Sequence, residues 1–141
     1  MKLHLIISSL IAAGFTLPAP LAHAGELTVK ITDIRASKGT LLVAVVNTEA
    51  GWDNKEKPVA QEKRAATGKE LELKFNLPAG SYAVQIHHDE NDNGKMDSNF
   101  MGIPVEGYGF SNNPQVMRKA YFSEAKFDVH DAPTAVTIRL R

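Results

Sequence analysis

Residues 89–97 read Asp-Glu-Asn-Asp-Asn-Gly-Lys-Met-Asp and fit the pattern D-x-[DN]-x-[DN]-G-x-x-D. In a calcium loop, positions 1, 3 and 5 turn side-chain oxygens inward and a glycine at position 6 permits the sharp bend. Position 7 offers its carbonyl, and position 9 binds directly or through water. Those roles fall on Asp89, Asn91, Asn93, Gly94, the carbonyl of Lys95, and Asp97. Every side-chain donor is a hard oxygen, which suits calcium and disfavours soft transition metals.

The motif departs from an EF-hand at position 12, where Phe100 replaces the bidentate glutamate, and no helical period flanks it. It reads instead as an EF-like loop on a β scaffold, its shell completed by another acid. Glu106 is the first candidate and Asp92 the second. Two or three carboxylates with two amides imply a dissociation constant of ~10⁻⁵ to 10⁻³ M. At average residue usage the pattern arises by chance in roughly one chain of this length in a few thousand. The competing reading is an Asx-turn network around Asn93-Gly94 with no metal.

Other reactive side chains are weighed beside this loop. His87 and His88 are consecutive at a strand end, so they face opposite sides and cannot both ligate one metal without bending the strand. His88 continues the face of Tyr82, Val84 and Ile86 and adjoins Asp89. It is either a base or ligand near the loop, or a half-buried ring that orders the loop. His130 is isolated. Ser111, His88 and Glu106 could be combined as a hydrolase triad, but no Gly-x-Ser-x-Gly elbow is present. Glu106 with Asp97 or Asp92 could form a glycosidase pair, although the metal loop already claims these acids. No glycine-rich phosphate loop or dinucleotide fingerprint occurs. Trp52 is either a core residue or a stacking platform for a saccharide. Tyr108-Gly109-Phe110 is either an exposed aromatic tip or an anchor against the core.

The elements that must position these residues are strands. Leu27, Val29 and Ile31 alternate, as do Leu71, Leu73, Phe75 and Leu77, then Tyr82, Val84 and Ile86, and finally Val136, Ile138 and Leu140. Leu41–Val46 is a continuous apolar run, expected as a central strand buried on both faces. Phe127 and Val129 form a short pair. Pro58–Ala66 reads as a polar edge strand or a short helix, with the strand preferred. Gly and Pro breakers separate these runs. About seven strands predict an antiparallel β-sandwich, transthyretin-like or immunoglobulin-like. A long loop, about residues 89–122, carries Phe100, Met101, Ile103, Val105, Tyr108, Phe110 and Tyr121, too many large apolar groups for a disordered segment. It is expected to fold back onto the sandwich. One helical turn is expected at Met117–Tyr121.

Lys2, an apolar stretch from Leu5 to about Leu17 and the Ala22-His23-Ala24 end predict a secretory signal peptide over residues 1–24. Residues 25–141 then form a single β-sandwich domain, periplasmic or secreted, with no transmembrane segment. The 141 residues carry 16 basic and 16 acidic side chains. Removing the leader takes one lysine and no acid. This balance argues against a nucleic-acid partner. The absence of cysteine excludes disulfides, thiolate metal sites and a cysteine nucleophile. Stability must come from the core or from a bound metal.

The stretch from His88-Asp89 through Asn93-Gly94 and Asp97, then Gly102-Ile103-Pro104 and Glu106-Gly107-Tyr108-Gly109-Phe110-Ser111-Asn112-Asn113, on to Ala120 and Phe122, resembles domain-of-unknown-function family 2141. These are small exported bacterial proteins, and the resemblance implies no activity. Separately, Leu77-Pro78-Ala79-Gly80-Ser81-Tyr82 is similar to a segment of transthyretin-like β-sandwich repeats, some of which bind calcium in an Asp-x-Asn-x-Asn-Gly loop after a strand. That similarity implies a sandwich and a metal, not a task.

The expectation is therefore an exported, non-catalytic binding or interaction module of the cell envelope, its loop ordered by a calcium ion. The ligands are Asp89, Asn91, Asn93, Lys95, Asp97 and Glu106. His88, Trp52, Tyr108 and Phe110 are candidate ligand-binding residues, and the partner is an envelope protein or a saccharide. The alternatives are an envelope hydrolase using His88 with loop carboxylates, and a purely structural domain of an envelope assembly.

Overall fold

The computed structural model describes residues 24–141, and the leader expected over residues 1–24 lies outside the described residues except for Ala24. Eight strands and two single helical turns follow in the order β1 (Ala24–Thr32), β2 (Thr40–Val46), α1 (Glu49–Trp52), β3 (Ala60–Ala65), β4 (Leu71–Pro78), β5 (Gly80–Asp89), β6 (Gly107–Phe110), α2 (Phe122–Ala125), β7 (Phe127–Val129) and β8 (Thr134–Arg139). They build two facing sheets. The first has the order β4-β1-β8, and the second runs β3-β2-β5-β6, with β7 also pairing β5.

The period-two runs explain the core. Leu27, Val29 and Ile31 of β1 and Leu73, Phe75 and Leu77 of β4 face Leu41, Val43 and Val45 of β2 and Tyr82, Val84 and Ile86 of β5. Each side chain here lies on the inner face because alternation leaves it no other. The Tyr82 hydroxyl donates to the Pro78 carbonyl across the tight β4–β5 turn (2.8 Å). The ambiguous Pro58–Ala66 segment is an edge strand. Its exposed Lys63 and Arg64 discourage pairing with another chain.

Four expectations are corrected. The sandwich is not wholly antiparallel, because β8 runs parallel to β1, with Val29 opposite Val136. A parallel pair needs a long crossover, and these strands are the first and last in chain order, so the whole intervening chain serves as one. β2 is fully buried on one face only, Leu42 and Ala44 being half-covered. The helical turn lies at Phe122–Ala125 rather than Met117–Tyr121. The long loop contains a strand of its own, β6, which pairs with β5 from His88↔Gly107 to Gln85↔Phe110.

The chain on either side of β6 takes different courses. Residues 111–126 cover the outer face of the second sheet near the start of β5, where Val46, Ala83 and Phe110 meet Trp52, Ala120 and Ala125. Residues 90–106 leave the opposite end. There β5 finishes, β2 begins, and the β1–β2 and β3–β4 connections meet, with Ile34 N donating to the Lys69 carbonyl (3.1 Å) and Ala66 N to that of Gly39 (3.0 Å).

Candidate metal centre

The 90–106 segment joins adjacent strands of one sheet, so its two ends are pinned by the His88↔Gly107 pair. Its start is coiled tightly. Asp92 and Gly94 adopt positive φ (56° and 74°), and the turn wraps its amides around Asp89. The Asp89 carboxylate, 3% exposed, accepts from Asn93 N (3.1 Å) and Gly94 N (2.7 Å). The Asn91 Oδ1 accepts from Asn93 N (3.1 Å), and Asn93 Oδ1 from Lys95 N (2.8 Å). Both amide groups then reach one oxygen, with Asn91 Nδ2 and Asn93 Nδ2 donating to Asp97 Oδ2 (2.6 and 2.9 Å). Asp89, Asn91, Asn93 and Asp97 thus converge, and the Lys95 amide joins the same coil.

Glu106 fastens this coil to the sheet. It is 5% exposed. Its Oε1 accepts from Glu90 N (2.9 Å), and its Oε2 accepts from Asp97 N (3.1 Å) and His87 Nε2 (2.8 Å). One carboxylate therefore ties both ends of the motif to β5. A buried carboxylate needs such donors, since burial without them is costly. Asp92 turns to β2 instead, where Thr40 Oγ1 donates to its Oδ1 (2.6 Å). Arg35 Nε donates to Glu90 Oε1 (2.6 Å), and Arg35 also reaches the Val105 carbonyl. Burial alone would raise the Glu90 carboxyl, but the Arg35 hydrogen bond and charge bring it below its ordinary value.

The two histidines part as strand alternation requires, and it is His87 that faces the loop. One ligand atom each from His87, Asp89 and Glu106 lie within 4.8 Å of one another. His87 was missed as a site residue. The signal was present in its alternation with His88, but which face the loop would cover was not written locally. His88 points into the sandwich, fully buried. Its Nε2 donates to the Lys38 carbonyl (2.8 Å), and its Nδ1 has no partner. It packs on Gly107, where a Cβ would lie 3.1 Å from the His88 Cβ.

Ser111 is also fully buried and committed to backbone. Its Oγ accepts from Val84 N (2.9 Å) and donates to the Ala125 carbonyl (2.6 Å). His88, Glu106 and Ser111 are each engaged elsewhere, so the hydrolase combination is not assembled. The Trp52 ring is 2% exposed, donates from Nε1 to the Ala120 carbonyl (2.8 Å), and packs on Phe110 at 5.5 Å between centroids. Phe110 is buried too, and Tyr108 is half-buried against it. These aromatics are core groups at the other end of the domain. A shallow cleft of about 300 Å³ lies beside them, lined in part by Glu49, Asp53, Lys119 and Tyr121. Burial lowers the pKa of the Lys119 ammonium there.

Residues 29–137 match the model of DUF2141, described as an uncharacterized protein conserved in bacteria. The chain belongs to that family. The match spans both sheets, and the DUF2141 region contains every residue of the 89–106 site. Comparisons with curated proteins and with solved structures give no match. The DUF2141 description names no activity.

Proposed function

We propose that this DUF2141 protein is an exported, non-catalytic binding or interaction module of the bacterial cell envelope, with its 89–97 loop ordered by a calcium ion. The observation that carries the metal reading is the meeting of Asn91 and Asn93 on one oxygen of Asp97, with the Asp89 carboxylate held by the same turn. Rotating the two amide ends would present their oxygens in place of their nitrogens. The loop would then offer Asp89, Asn91, Asn93, Asp97 and the Lys95 carbonyl to a hard cation. Glu106, with three donors already on its oxygens, fits the role of organiser better than that of sixth ligand.

Support for export comes from the sequence of residues 1–24 alone. The non-catalytic reading rests on the commitment of Ser111 and His88 to backbone partners. Among the described residues, no helix is long and apolar enough to cross a membrane.

Thermal unfolding in excess calcium, in chelator and in magnesium tests the metal. The midpoint should rise with calcium alone, since only a ligand preferring the folded state can raise it. Asp89→Ala should abolish the rise. Equal midpoints in calcium and chelator would leave Asn93-Gly94 as a turn.

A further inference from the structure

Residues 98–104 form a small hairpin standing on the 89–97 loop. Ser98 bridges Pro104, and Val105 N donates to the Asp97 carbonyl (2.9 Å). Asn99 closes the tip. Its amide donates to the Ile103 carbonyl (2.9 Å), and its carbonyl accepts from Gly102 N (2.9 Å). Its Oδ1 accepts from Met101 N (2.9 Å) and Ile103 N (3.0 Å). The amides of Asn99, Met101, Gly102, Ile103 and Val105 are thus satisfied within the hairpin, and Pro104 has none to satisfy.

The side chains do the opposite of what water favours. Phe100 is 97% exposed, Met101 64%, Ile103 53% and Val105 50%, with Met96 at the base also exposed. No charged residue occurs from Ser98 to Val105. A segment that closes most of its amides on itself and turns apolar groups outward suits the interface of an apolar medium.

Size argues in the same direction. The hairpin is only a few residues long, and a stable protein interface engages about 20–30 residues a side. Five projecting side chains fall well short of that, which disfavours a second copy of the chain. A fluid lipid surface needs no complementary groove. Charge then sets a condition. Asp89, Glu90, Asp92, Asp97 and Glu106 crowd the base of the hairpin, where Lys95 and Arg35, paired with Glu90, offset only part of their charge. They repel anionic headgroups unless a cation offsets them.

We propose that the 98–104 hairpin is a membrane-docking tip that inserts Phe100, Met101 and Ile103 into the interface of an anionic lipid surface, with calcium in the adjoining loop bringing the acidic base of the hairpin onto the headgroups. The calcium dependence rests on the metal reading above.

Cosedimentation of the exported, purified chain with phosphatidylcholine–phosphatidylglycerol vesicles, in calcium and in chelator, tests this beside an F100S/M101S variant processed identically. Thermal midpoints of both proteins are measured with and without calcium. The parent should pellet with vesicles in calcium, and the variant should lose at least about tenfold in partitioning, while both midpoints rise alike with calcium. Equal pelleting of the two proteins overturns the proposal. A parent that stays in solution although calcium raises its midpoint also overturns it, leaving the metal in place and a protein as the partner of the tip. Tip-dependent pelleting that ignores calcium, with no midpoint shift, upholds docking and overturns the metal reading.

Discussion

Glu106 shows how one side chain can hold a long loop. Three donors from three places in the chain, Glu90 N, Asp97 N and His87 Nε2, end on its two oxygens. Removing the carboxylate strands them in a nearly dry site. Glu106→Ala should therefore cost about 3 kcal/mol by chemical denaturation and weaken calcium binding as the coil loosens. A loss below about 0.5 kcal/mol, the ordinary range for a surface change, would mean that Asp89 holds the coil alone. The motif residues were readable because a metal loop is a local device. Its candidate ligands come from nine consecutive residues, and a glycine marks the bend. Glu106 was readable as an acid near the loop, but not as its fastening. That role depends on His87 lying opposite Tyr108 across two strands, a relation no short window contains.

At the scale of elements, β6 does more than return the chain to β5. Tyr108 and Arg141 exchange backbone hydrogen bonds (3.1 and 2.9 Å), so β6 joins the chain just after β8 and closes one side of the sandwich. Gly109 permits this approach. A Cβ there would lie 2.8 Å from Ile138 Cγ2 and 3.1 Å from the Arg139 carbonyl. Gly109→Val should cost about 2–3 kcal/mol through overpacking, read as a lowered thermal midpoint, with Gly109→Ala costing less. The strap over Trp52 has an electrostatic clasp. The hydrogen bonds from Arg118 and from Tyr121 N hold the Glu124 carboxyl down to about 2 from 4.5. A depressed carboxylate pKa stabilises the fold above the unfolded value, and that contribution is lost as pH falls from 4.5 towards 2. Melting curves across this window should fall less steeply for Glu124→Gln than for the parent, and the variant should already be less stable at neutral pH. Parallel curves would show that the clasp contributes nothing.

The whole molecule divides its labour between its two ends. One end packs Trp52, Phe110 and Phe122 under the 111–126 strap, and the other carries the coil, the Glu106 fastening and the exposed hairpin. If calcium binds only the folded state, a free concentration about a hundredfold above the dissociation constant adds about 2.7 kcal/mol. For a domain of this size the midpoint should then move on the order of 10 °C. Differential scanning calorimetry over a calcium series checks both the size of the shift and its logarithmic growth. The class of fold, most of the strands and the calcium-type motif were legible in the chain because period-two alternation and a nine-residue loop are written in near neighbours. The parallel seat of β8, the turning of His87 rather than His88 to the loop, and the outward projection of Phe100 and Met101 were not. Each depends on which strand or loop arrives from far along the chain to cover a given face. Alternation determines that a side chain has two sides to choose from, and only the packed sheets decide which of them is dry.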